Sequence, residues 1–112
     1  MKLISHRGNL TGPNPERENN PDYIWEAIQA GYEVEVDVWW VDGKFKLGHD
    51  EPKYHFPFSL IERHYSKLWI HCKNMDALSQ LNELDSSGLK VNYFSHENDL
   101  GVLTSRGYIW ST

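Results

Sequence analysis

A single cysteine, Cys72, stands in the chain, so no intramolecular disulfide can form and the sulfur content does not point to an oxidising compartment. Positive charge is also scarce: eleven Lys and Arg face sixteen Asp and Glu, for a formal charge of −5. That balance argues against nucleic acid or an anionic membrane as a partner held by bulk charge, and leaves room for a small cationic pocket around one phosphate. No apolar run is long enough to cross a bilayer, and the apolar start of the chain is too short for a signal peptide. A cytoplasmic location is the expectation. Low-complexity segments, linkers and internal repeats are absent. What is plentiful is aromatic: five Trp, six Tyr and four Phe, enough to fill a core or to cover a surface that meets another chain. The 112 residues allow one domain at most, spanning residues 1–112.

Residues 2–6 form a short apolar run ending at Arg7-Gly8 and read as a first strand. Residues 9–20, rich in Asn, Pro and Gly, read as a loop. Asn20-Pro21 is an N-cap followed by proline at the first helical position, with Ile24, Ala27 and Ile28 on one face and Gly31 as the stop. Residues 32–41 alternate: Val34, Val36 and Val38 on one face, Glu35, Asp37 and Trp39 on the other. Asp42-Gly43 is a hairpin turn into a short strand, 44–47, that ends at Gly48-His49-Asp50. Residues 51–57 read as loop, and the capping-box spacing Ser59 to Glu62 predicts a helix starting there. Residues 68–73 alternate again, with Trp69, His71 and Lys73 sharing a face. Asn74 then caps a helix that turns Met75, Leu78, Leu81 and Leu84 inward. Strands are expected at 89–95 and 108–110. This order predicts an α/β fold built on a parallel sheet.

Four clusters can carry chemistry. His6-Arg7 joins a proton carrier to a guanidinium fork that matches two phosphate oxygens. Glu35 and Asp37 place two hard oxygen ligands on one strand face. His49-Asp50 offers a second proton carrier, with a carboxylate to orient it. His71 and Lys73 offer a metal-binding nitrogen and a cation for phosphoryl oxygens. Taken alone, each reads first as a strand end, a capping turn or a solvated strand face. Gathered at the carboxyl ends of strands, they are the parts for metal-assisted phosphoryl transfer.

In order and spacing, His6-Arg7-Gly8, Glu18-Asn19, Glu35-x-Asp37 and His49-Asp50 are similar to the signature of glycerophosphodiester phosphodiesterases. The resemblance runs over residues 2–73 and is specific up to Asp50. It implies an N-terminal half of a TIM barrel, with about four to five mainly parallel strands and intervening helices. It also implies hydrolysis of a glycerophosphodiester to glycerol 3-phosphate and an alcohol, with a divalent cation. By motif, His6 and His49 would be the acid and base, and Arg7 and Lys73 would bind phosphate. Glu35 and Asp37 would hold the metal, and Glu18, Asn19 and Asp50 would support the site.

Two departures from the family pattern stand out. Where the family carries a further glutamate ligand this chain has His71, so the calcium or magnesium the resemblance implies gives ground to manganese or zinc. The chain also has fewer strands than a barrel needs, which a truncated domain, a shortened relative or a homo-oligomer covering open sheet edges would each explain. The alternative functions are an inactive module that binds a phosphate-containing ligand, or a shortened structural relative. His96, Glu97 and Asp99 are further candidate pocket residues.

Overall fold

The computed structural model describes residues 3–95 and 101–111. Among the described residues there are three α-helices, α1 (Pro21–Gln29), α2 (Phe58–His64) and α3 (Met75–Ser86), with a 3-10 turn at Tyr65–Lys67 after α2. The strands are β1 (Ile4–His6), β2 (Glu33–Val41), β3 (Lys44–Leu47), β4 (Tyr54–His55), β5 (Leu68–Cys72), β6 (Asn92–Phe94), β7 (Gly101–Leu103) and β8 (Ile109–Ser111). The first six strands make one sheet in which β2 is central. Strands β1, β5 and β6 join it through parallel pairings. Strands β3 and β4 join through antiparallel ones, and β7–β8 form a separate antiparallel hairpin.

This mixed α/β arrangement corrects the expectation of a partial TIM barrel with mainly parallel strands. The cause is local. Asp42 and Gly43 both take positive φ (52° and 74°), which reverses the chain tightly and lays β3 back along the C-terminal half of β2. The short β4, in a stretch expected to be loop, then extends the antiparallel side. The apolar run at 108–110, expected as one more strand of the main sheet, folds into the separate hairpin.

Helix α1 begins as anticipated, with the Asn20 side chain accepting from the Asp22 N–H at 2.9 Å and Pro21 in the first turn. Helix α3 is capped by Asn74, whose Oδ1 accepts from the Ala77 N–H at 2.9 Å. Two expectations fail. Helix α2 starts at Phe58, after Pro57, without a side-chain cap, so the Ser59 capping box does not form. Met75, expected to face inward, is 75% exposed, and the buried face of α3 is carried by Ala77 and Leu81.

All three helices pack on one face of the sheet. Val34, Val36 and Val38 meet Ile70 and Cys72 there, beneath Ala27, Ile61, Ala77 and Leu81. The other face carries Glu35, Asp37 and His71, and Trp110 of β8 packs there against Trp69 and Phe94. Both faces of β2 are therefore covered, which explains why its acidic alternation is not a solvated stripe.

At Gly48 a Cβ atom would lie 1.8 Å from the Glu51 backbone oxygen. The backbone of the 48–51 turn closes on itself there and leaves no room for a side chain. Gly48→Ala is expected to cost at least about 2 kcal/mol, by overpacking against backbone that cannot yield. Urea unfolding checks this, and a variant as stable as the parent would show that the turn opens freely.

Candidate metal centre

The site grows from the middle of β2. Glu35 and Asp37 point to the same face, and β5 runs parallel with His71 in register with Asp37. His71 Nδ1 lies 3.1 Å from Asp37 Oδ1 and 3.9 Å from Glu35 Oε2. One donor atom from each of the three residues lies within 4.8 Å of the other two, a spacing that can hold a metal ion. Phe94 stacks flat on the His71 ring, with centroids 5.2 Å apart, and sets its plane.

Both carboxylates are out of water. Asp37 is compensated on all sides. Asn19 donates Nδ2–H to Asp37 Oδ2 at 2.9 Å, and its Oδ1 accepts from the Asp37 backbone N–H at 2.9 Å. Arg7 Nε stands 3.0 Å from Oδ2, off the N–H direction, so that contact is one of charge rather than a hydrogen bond. Burial pushes the Asp37 carboxyl up. The His71 hydrogen bond, Asn19 and the Arg7 charge outweigh burial and hold it well below the usual carboxylate range.

Glu35 goes the other way. Burial, and then the Asp37 charge, raise it well above its ordinary value. Its Oε1 is buried without a hydrogen-bond partner among the described residues. An orphaned buried carboxylate oxygen beside a second carboxylate and an imidazole fits a cation.

Glu18 braces Arg7 from the far side: Arg7 Nη1 donates to its Oε1 at 3.2 Å, while Oε2 accepts from Asn9 Nδ2 at 3.0 Å and the Asn14 N–H at 2.8 Å. Burial raises the Glu18 carboxyl, but these three bonds bring it below its usual value. Burial would also lower Arg7, yet Asp37, Glu18 and Glu35 together raise it. The two outer histidines flank the pair. His6 Nδ1 is 4.0 Å from Glu35 Oε1, and His49 Nδ1 is 3.5 Å from Asp37 Oδ2. Burial and the neighbouring Arg7 lower the His6 pKa.

Beside this centre Arg7, Glu18, His49, Asp50 and Lys53 line an open cleft of about 330 Å³. Of the thirteen candidates named in the sequence, ten lie among the described residues, and eight of these gather at Asp37: His6, Arg7, Glu18, Asn19, Glu35, Asp37 itself, His49 and His71. Asp50 is 95% exposed and reaches only His49, at 3.7 Å. Lys73 is half-buried, with its charge acting on Glu35, and does not line the cleft. His96, Glu97 and Asp99 lie outside the described residues. Sequence reasoning does not find Asn9, Lys53, Phe94 or Trp110. For Phe94 a signal exists, since strand alternation puts it on the His71 face; for Trp110 there is none.

No protein-family model, curated protein or solved structure matches the chain. Among the described residues no helix is long and apolar enough to cross a membrane.

Glu35 predicts a pH effect on the metal-free protein. Below its ordinary pKa the group is protonated whether the chain is folded or not, and costs nothing. Between that value and the raised folded one, the unfolded chain releases a proton that the folded chain keeps, so stability falls as pH rises. Glu35→Gln cannot ionise and escapes this loss. With chelator present, the substitution should change Tm little near pH 4 and raise it at pH 8, by about 4–8 °C for each kcal/mol recovered. Thermal melts at the two pH values test this, and an equal or negative change at pH 8 would mean that Glu35 ionises without penalty.

Proposed function

We propose that this chain is a metal-dependent phosphodiesterase acting on small glycerophosphodiesters. The observation that supports the reading best is the convergence on one buried point of Glu35, Asp37 and His71 with Arg7 and two histidines. The motif resemblance points the same way.

Glu35, Asp37 and His71 would hold the cation. When bound, it would supply positive charge to the phosphoryl oxygens as charge builds there. A set with one imidazole nitrogen suits manganese or zinc better than calcium or magnesium. Arg7 would take a phosphate oxygen with the donors not engaged by Glu18 and Asp37, at the mouth of the cleft. His49 lines that cleft, and His6 lies on the opposite side of the carboxylate pair. One would remove the proton of the attacking water and the other would protonate the departing alkoxide. Lys73 would act through Glu35, as a nearby positive charge, rather than by gripping the phosphate.

A second reading is a silent module that binds a phosphate-containing ligand. The grip of Glu18 and Asp37 on Arg7 favours it, since both carboxylates compete with phosphate.

Glycerophosphocholine hydrolysis by the purified chain separates the two. Turnover should require added metal, with manganese or zinc above calcium or magnesium. His6→Ala should lower kcat by about 10²–10⁴-fold, and His71→Ala should abolish the metal preference. A parent that prefers calcium, with a preference that His71→Ala leaves unaffected, would remove His71 from the metal site. Folded protein that shows no turnover with any of the four metals, yet is stabilised by phosphate, would be the silent module.

A further inference from the structure

We infer that Trp110, brought over by the C-terminal hairpin, is the positioning residue that holds the His6 ring in place, an inference that rests on reading His6 as an acid–base group. His6 ends β1 at the margin of the sheet, and its side chain is 58% exposed. Its polar neighbour Glu35 stands at 4.0 Å, beyond hydrogen-bond range. A ring held that loosely would sample several rotamers, and only a fraction of them would aim a nitrogen at the reacting atoms. Trp110 supplies the missing wall: its ring lies 5.0 Å from the His6 ring, tilted by 48°.

Trp110 is itself immobilised. It is buried, 5.3 Å from Phe94 and 5.7 Å from Trp69 by ring centroids. The hairpin that carries it is tied to the sheet edge through Ser105. The Ser105 N–H donates to the Tyr93 carbonyl at 2.9 Å, its Oγ accepts from the Tyr93 N–H at 2.9 Å, and the same hydroxyl donates to the Val91 carbonyl at 3.0 Å. Arg106 also pairs with Asp85 at 3.2 Å, but an exposed ion pair adds little to the Ser105 anchor. Phe94 already serves His71 in the same way, so one aromatic cluster orients two imidazoles on the two sides of Glu35.

The test compares Trp110→Ala, Trp110→Phe and Arg106→Ala in the full chain by three readouts: glycerophosphocholine turnover, manganese affinity by calorimetry, and the carbon-bound ring protons of His6 by NMR. Trp110→Ala should lower kcat by about 10–100-fold while KM and manganese affinity stay within about twofold, because the metal ligands are not touched. Trp110→Phe should recover most of that loss, and Arg106→Ala should keep the parent kcat. The His6 protons should be shifted upfield by the Trp110 ring in the parent and should lose the shift in Trp110→Ala. A folded Trp110→Ala with parent kcat and unmoved His6 resonances overturns the inference. So does a kcat loss that is matched in manganese affinity and not rescued by Trp110→Phe, which would mark a purely structural role. Should the parent itself show no turnover, the phosphodiesterase reading fails, and the His6 shift alone decides whether Trp110 positions the ring.

Discussion

Removing an ionised carboxylate from water costs several kcal/mol even after a protein relaxes around it, and this chain does so at Asp37 with Glu35 two residues away on the same strand face. Nearly every other feature of that end of the sheet answers the cost. Arg7 brings a full positive charge, His71 and Asn19 bring hydrogen bonds, and Glu18 keeps Arg7 aimed. Glu35 receives less and is driven toward its protonated form instead. The asymmetry is chemically useful. A cation bound between the two carboxylates would favour the ionised form of Glu35, so its binding would be coupled to loss of a proton there.

Asparagine side chains hold β2 in register where strands do not. On one edge, the gap between β1 and β3 is filled by Asn19, whose Oδ1 accepts from the Asp37 N–H as a strand carbonyl would while its Nδ2 donates to the Asp37 carboxylate. On the other edge, beyond β5, Asn74 Oδ1 accepts from the Trp40 N–H and its Nδ2 donates to the Trp40 carbonyl, while the same Oδ1 caps α3. An asparagine amide carries a donor and an acceptor in the geometry of a peptide, and therefore mimics one residue of strand. Neither role changes the length of β2, yet both determine where its carboxylates stand.

Much of this is legible from local pattern. The run Val34, Val36, Val38 identifies the buried face, and its alternation places Glu35 and Asp37 together. Asn20-Pro21 and Asn74 mark helix starts because capping chemistry is written in adjacent residues. What fails is long-range. Alternation states which face a side chain takes and says nothing of a strand's neighbours, so although the Asp42-Gly43 turn marks the β2–β3 hairpin, the order of elements suggests a mainly parallel partial barrel and misses β4 and the separate β7–β8 hairpin. The pairing of Trp110 with His6 joins the two ends of the chain, and no periodicity encodes it. Lys73 shares the right strand face, but it does not line the cleft and its charge is felt at Glu35, a distinction that spacing along the strand does not carry.

The loop between Arg7 and Asn19 is closed on itself, since the Asn19 N–H donates to the Arg7 carbonyl at 3.0 Å and both residues take positive φ. Glu18 pins its inner turns through Asn9 and Asn14, leaving residues 10–13 exposed. The two residues that grip Asp37 are thus fastened to each other at the neck, not through the tip. Doubling the length of a flexible loop costs only about 0.6 kcal/mol in closure entropy. The tip can therefore lengthen or shorten while the charge balance at Asp37 stays as it is, so changes of length there are decoupled from the buried carboxylates.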